Sequence, residues 1–271
     1  MNWDELTSDQ FERARMETGG VCLFHIGAIE RHGSHLPLST DMVIGRKIAE
    51  EASKLEPIII FPYYPFGQIS EARHTPGAIN LRPDLALSLL DEVFREISRN
   101  GFKKIIIFSS HGGNSGLLNY LMESSLHEKK DYVLYSFGMR NWFSKDETQE
   151  IIDTTGLRWP GDHAGAAETS YVMAVRPDLV HMEHADITCK ALGRLNHLEK
   201  VSTPISWYAD FPTHQDSDPS AASIMAGEKM IAYAAANLVK AIKIVKADST
   251  AGQLQNDFFA RCYQINDRGQ V

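Results

Sequence analysis

Cysteine is scarce. Cys22, Cys189 and Cys262 are odd in number and far apart in a chain of 271 residues, so no disulfide framework is expected. Long apolar runs are missing too, and none approaches the ~20 residues a membrane helix needs. Basic residues are in deficit, 27 Lys and Arg against 35 Asp and Glu, and the net charge of −8 argues against nucleic acid as the principal partner. The opening residues, Met1-Asn2-Trp3-Asp4-Glu5, are acidic where a signal peptide would be basic and then apolar. Repeats and low-complexity linkers are absent, so no domain boundary shows. The expectation is a soluble cytoplasmic protein with neither a nucleic-acid nor a membrane partner.

What is present is enough apolar material for a core, 43% of the chain against 23% charged. At ~100–200 residues per domain, the length suits one large domain or two small ones. Four short apolar runs read as buried strands: Val21 to Ile26, Pro57 to Phe61, Lys104 to Phe108 and Tyr132 to Phe137. Near-continuous runs of this kind suit strands covered on both faces, as in a parallel sheet. Between them, Ile44, Ile48, Ala52 and Leu55 recur at helical spacing, as do Leu85, Leu89, Val93 and Ile97. Asn114 to Glu128 and Ala221 to Lys246 supply two further helices. Strand–helix alternation implies βαβ crossovers and a layered α/β domain over residues 1–247. Residues 248–271 are polar and aperiodic apart from Phe258-Phe259, and read as a C-terminal tail that packs on the body or on a neighbouring subunit.

Ligands of open α/β sheets bind outside the carboxyl ends of the strands. Glu30, Arg31, His32, His35 and Asp41 follow the first run; Ser70, Glu71 and His74 follow the second; His111, Gly112, Gly113 and Asn114 follow the third. Glu30 and His32 are two apart and share a direction in an extended segment, and Asp41 falls where the next helix begins. Carboxylates with imidazoles are the ligand set of Zn²⁺ and Mn²⁺ hydrolytic sites, and a carboxylate can bridge two such ions. The same residues also suit a surface loop with incidental charge; His111, between a buried strand and two glycines, favours the metal. His35 and His74 read either as contacts to substrate or ligands, or as loop histidines. Ser70 reads as a substrate donor or as plain turn chemistry. Nothing adjacent selects His25, His127, His181, His184, His197 or His214.

A fourth cluster runs from Trp159 through Asp162, His163 and Gly165 to Glu168, Thr169 and Ser170, ahead of the apolar Tyr171 to Val175. Asp162 or His163 is expected to start a helix. Glu168, one turn into that helix, then needs a metal or a cation as partner. His163 and Glu168 are five apart, so they meet only if His163 lies outside the helix.

Taken in order, Glu30-x-His32 with His35-Leu36-Pro37-Leu38 and Asp41, then His111-Gly112-Gly113-Asn114, then His163-Ala164-Gly165 with Glu168-Thr169-Ser170 resembles the creatininase (creatinine amidohydrolase) family. Arg176-Pro177-Asp178-Leu179 and Asp218-Pro219-Ser220-Ala221 agree, and the likeness runs from about Trp3 to about Val245. The resemblance implies a three-layer α/β/α sandwich with a mostly parallel sheet, assembled as a homo-oligomer, usually a hexamer. It implies Glu30, His32, Asp41, His111 and Glu168 as ligands of two divalent ions, Zn²⁺ or Mn²⁺ with Fe²⁺ also admissible, Asp41 bridging them. It makes His163 the proton-transfer residue and matches Trp159 to a flap tryptophan over the site. Arg31 stands where the family commonly has glutamine, and Gly112 and Gly113 replace an aromatic and a carboxylate of creatininase itself. Those glycines leave space for a bulkier substrate, with Arg31, Ser70, His35 or His74 as hydrogen-bonding contacts.

The expected function is hydrolysis of a small, polar, cyclic substrate at an amide C–N bond by metal-activated water. The alternatives are C–C ring opening of a keto-inositol, as in inosose catabolism, and a non-catalytic metal-containing binding protein.

Overall fold

The computed structural model describes residues 1–159 and 161–268, with side chains as far as residue 262. Four strands, β1 (Val21–Ile26), β2 (Ile59–Ile60), β3 (Lys104–Ser109) and β4 (Val133–Phe137), make one sheet in the order β2-β1-β3-β4. Every pairing is parallel, and β1 runs alongside β3 over its whole length, from Val21 opposite Lys104 to Ile26 opposite Ser109.

The helices are α1 (Ser8–Glu17), α2 (Thr40–Leu55), α3 (Pro83–Arg99), α4 (Asn114–Ser124), α5 (Lys145–Thr155), α6 (Ala166–Val175), α7 (Ser206–Asp210), α8 (Ile224–Ala247) and α9 (Thr250–Arg268). Leu23, Ile60, Ile106 and Phe108 face one side of the sheet and pack on Ile48 of α2, Val172 of α6 and Leu238 of α8. The alternate residues, Cys22, Phe24, Ile105 and Ile107, face the other side and pack on Ala14 of α1, Phe94 of α3 and Leu118 of α4. Helices thus cover both faces of the sheet, a three-layer α/β/α sandwich. Each fully buried side chain of this kind contributes ~1.5–3 kcal/mol, so the two apolar layers are the main source of stability.

The second strand is shorter than the apolar run suggests. Pro57 and Pro62 bound it, and proline has no N–H for the ladder. Its outer edge is covered by the N-terminus instead: Ile60 N donates to Met1 O at 2.8 Å and the Met1 amino group to Ile58 O at 2.9 Å. On α3 the buried stripe is Ala86, Leu90, Phe94 and Ile97, one residue beyond the expected Leu85, Leu89 and Val93 for most of its length. Leucines stand at both sets of positions, so the spacing alone does not choose between them.

Helices α1, α5 and the short α7 lie outside the segments with clear apolar periodicity, although α1 and α5 each have a capping box. Thr7 and Gln10 start α1, and Ser144 and Glu147 start α5. The segment expected to be an aperiodic tail is the helix α9, apart from residues 269–271, which lie outside the described residues. Phe259 is buried, and Gln255 donates to Lys130 O at 3.2 Å and Tyr132 O at 3.0 Å, which docks α9 beside edge strand β4. Among the described residues no helix is long and apolar enough to cross a membrane.

Candidate metal centre

Several segments bring donor atoms to the carboxyl edge of the sheet. The chain leaving β1 supplies Glu30 and His32, the first turn of α2 carries Asp41, His111 stands just beyond β3, and Glu168 lies in the first turn of α6. All five are buried.

His111 Nδ1 lies 2.9 Å from Glu30 Oε1 and 3.0 Å from Asp41 Oδ2. Its Nε2 donates to Gln68 O at 2.8 Å, which leaves a lone pair on Nδ1 facing two carboxylate oxygens. His32 repeats the arrangement. Its Nδ1 donates to Glu30 O at 3.2 Å, and its Nε2 is 3.4 Å from both Asp41 Oδ1 and Glu168 Oε2. Asp41 therefore faces both imidazoles, one with each oxygen. Glu30 Oε1, Asp41 Oδ2 and His32 Nε2 are buried without a hydrogen-bond partner.

Lone pairs crowded in this way are costly unless a proton or a cation sits among them. Burial works against a charged His32, yet Glu168 and Asp41 outweigh it and hold the imidazole up at about 10. Burial likewise opposes protonation of His111, and Asp41 and Glu30 overcome it and raise the group well above its usual value. Burial pushes Glu168 up to about 8. The cluster attracts positive charge, and its mixed carboxylate and imidazole donors suit Zn²⁺ or Mn²⁺. Among the described residues, three groups have donor atoms close enough to hold an ion: Glu30, Asp41 and His111; His32, His163 and Glu168; Glu30, His163 and His214.

His163 reaches this cluster because it lies outside α6, which starts at Ala166. Ala164 has a left-handed φ of 53°, and its N–H donates to Glu168 Oε2 at 2.7 Å, so the chain folds back on the helix it is about to enter. Asp162, expected at the helix start, caps from outside, accepting from Ala167 N at 2.9 Å and Glu168 N at 3.2 Å. His163 is half-buried, with its ring centroid 4.3 Å from that of His32. Its Nε2 donates to Arg31 O at 3.1 Å. Burial pushes the imidazole down to about 3, so it is neutral near pH 7.

A cavity of about 1080 Å³ opens over the cluster, lined by Glu30, His111, His163 and Glu168 together with Glu71, Trp142, Trp159, Trp207 and His214. Trp159 is exposed on its wall. Arg31, Ser70 and His74 are not among the lining residues. Arg31 is occupied by Gly33 O at 2.9 Å and Ser34 Oγ at 3.0 Å, and both ring nitrogens of His74 face carbonyls, Glu71 O and Pro212 O. Ser70 points to solvent. His35 is buried, bonded to Thr169 Oγ1 at 2.9 Å behind Glu168.

The two glycines after His111 differ. Nothing lies within 4 Å of a Cβ built on Gly112, whereas one on Gly113 would meet His111 Nε2 at 2.4 Å and Gln68 O at 2.8 Å. Only Gly112 leaves the space expected of both. His214, passed over in the sequence, lies in the wall beside Glu30; no neighbour in the chain marks it, and only the folded loop brings it here. Trp142 and Trp207, also in the lining, carry no local motif that marks them.

The family model for creatinine amidohydrolase matches residues 4–242 of the chain. The creatinine amidohydrolase of Pseudomonas putida is 26% identical over 191 residues, 66% of this chain and 73% of that one. The 3-dehydro-scyllo-inosose hydrolase of Thermotoga maritima is 24% identical over 211 residues, 72% of this chain and 65% of that enzyme. A crystal structure of creatinine amidohydrolase shares the fold with a TM-score of 0.78, covering 92% of this chain and 98% of its own at 20% identity. Creatininase structures of a Zn–Zn type and with Mn match at TM-scores of 0.76 and 0.75.

Proposed function

The chain belongs to the creatinine amidohydrolase family and is a hydrolase, and from that premise we propose that it uses two divalent cations to cleave an amide C–N bond in a small, polar, cyclic substrate. The observation that carries this reading is the position of Asp41, with one carboxylate oxygen toward His111 and the other toward His32. Glu30, Asp41 and His111 would hold one ion, and His32, Asp41 and Glu168 the other. When bound, such cations lower the pKa of water and polarise a carbonyl oxygen.

The protein's own groups do the rest. His163 enters as a neutral base, because burial keeps it unprotonated. Its Nε2–H is committed to Arg31 O, so Nδ1 is the atom that takes up a proton and hands it to the leaving nitrogen. Asp162 pins the start of α6, which holds both Glu168 and His163 in place. Trp159 and Trp207 offer flat apolar faces to a ring and reduce the water around it. The same reading carries a homo-oligomer and a cytoplasmic setting, to which three free thiols are suited.

C–C ring opening of a keto-inositol is the second reading, favoured by the open space at Gly112 and the large cavity. It uses the same groups, with His163 protonating carbon. A panel of creatinine, other cyclic amides, formamides and keto-inositols, assayed on metal-free and reloaded protein, tests both. Metal-dependent hydrolysis of at least one class is expected, with creatinine well below the ~10⁴ M⁻¹s⁻¹ usual for an enzyme's own substrate. Activity on none of these classes, or activity indifferent to metal, rules the proposal out.

A further inference from the structure

His214 is buried, with 1% of its surface exposed, and its Nδ1 has no hydrogen-bond partner. That nitrogen lies 3.7 Å from Glu30 Oε2, the oxygen of Glu30 turned away from His111. The other ring nitrogen, Nε2, is directed at Glu71 O at 3.3 Å. A proton placed there leaves the lone pair of Nδ1 aimed at the carboxylate.

His111 is held in the same manner by the same turn, its Nε2 on Gln68 O at 2.8 Å and its Nδ1 toward the other oxygen of Glu30. One short stretch, from Gln68 to Glu71, thus orients two imidazoles with their lone pairs toward one carboxylate. An imidazole that donates one N–H to a backbone carbonyl while the other nitrogen faces the site is the usual arrangement of a metal-bound histidine.

The backbone adds a second observation. His214 has a φ of 52°, and among the described residues Ala164 is the only other non-glycine with a positive φ. Histidine enters the left-handed region more readily than most side chains, but the conformation still has to be held by its surroundings. Here the holding contact is Gly33 N, which donates to His214 O at 2.7 Å, and Gly33 follows His32 directly. The strained turn is therefore tied to the segment that carries two of the ligands.

We propose that His214 is a further metal ligand, through Nδ1, of an ion that Glu30 also holds, since their donor atoms lie close enough to share one. The inference rests on the two-ion reading above and assigns to that ion an imidazole from a loop remote in sequence. Asparagine at this position tolerates a positive φ and keeps the turn, so His214→Asn is the variant of choice.

Metal-free wild type and His214→Asn are titrated with Zn²⁺ against a chromophoric chelator, and circular dichroism confirms the fold of each. The expected result is loss of ~10²-fold or more in affinity for one ion, with the other retained. A measurement on Co²⁺-loaded wild type needs no stable variant. A bound imidazole's remaining N–H gives a paramagnetically shifted, exchangeable proton signal, and the Nε2–H of His214 should be among these and vanish in His214→Asn. Wild-type affinity for both ions in the variant, or no shifted signal from His214 in the wild type, overturns the assignment. Wild type that takes up no ion at all overturns the two-ion reading as well.

Discussion

Replacing Gly45 by alanine probes how closely α2 must seat on the sheet for the site to form. Gly45 lies one turn beyond Asp41 on α2, and both are buried. A Cβ on Gly45 would sit 2.0 Å from His25 Nε2 and 2.5 Å from Ser110 Oγ. Those two atoms share a 2.7 Å hydrogen bond, so the methyl group falls into it. Cβ contacts under 3.0 Å are essentially never found, so the side chains must part or the helix must lift by about 1 Å. Overpacking of this kind costs ~1–3 kcal/mol, and an interrupted buried hydrogen bond ~1–3 kcal/mol more. Alanine's better helix propensity returns only ~1 kcal/mol. A net loss near 3 kcal/mol at ~2–4 °C per kcal/mol predicts that Tm falls by roughly 10 °C. Ser110 Oγ also donates to Asp41 O at 2.8 Å, so a displaced Ser110 disturbs Asp41 and, as its chain neighbour, His111. Misplacement by ~1 Å can cost ~10²-fold in rate, and metal content should drop with it. Calorimetry and elemental analysis read the two effects. Gly116→Ala serves as control, since nothing lies within 4 Å of a Cβ there. If Gly45→Ala matches the wild type in both Tm and metal content, α2 seats loosely and the reasoning fails.

His163→Ala should keep its metal while turnover falls by ~10²–10⁴-fold, whereas Asp41→Ala should lose metal; elemental analysis beside a rate assay separates them, and metal loss in His163→Ala would make His163 a ligand. His25, held neutral by burial, is pushed down from 6.5 to about 3 in the folded protein. Between those values the unfolded chain binds one proton more, so this group's contribution to stability falls as pH falls, by roughly 1 kcal/mol per pH unit. Urea midpoints from about pH 6 to about pH 4 should therefore drop less steeply in His25→Asn; equal slopes would refute the assignment.

Local sequence carried the strands well, because a strand buried on both faces must be apolar throughout, and the runs around Phe24 and Ile106 are. It also marked residues that converge at the carboxyl edge of the sheet, since strand ends are where a parallel sheet presents polar groups, and Glu30, His32 and His111 follow strands directly. On α3 leucines occupy two adjacent stripes of the helix, and only packing against Phe24 selects the stripe of Leu90 and Phe94. Residues 250–268 have few apolar positions and no clear stripe, and what docks them is Gln255 on the carbonyls of Lys130 and Tyr132 beside edge strand β4, a partner that local periodicity does not name.

The sequence by itself determined the buried strands, most of the helices and the strand ends at which Glu30, His32, Asp41 and His111 stand, because propensity and apolar runs are local properties. Only the tertiary structure decided the strand order, since runs apolar on both faces carry no alternation to mark their neighbours. It alone turned Arg31 and His74 to backbone carbonyls away from the cavity wall and brought His214 to Glu30, residues far apart in the chain. Distances across such loop lengths depend on how α2 packs on the sheet, how α6 packs on α2 and α8, and on one left-handed residue at 214, and no local pattern encodes them.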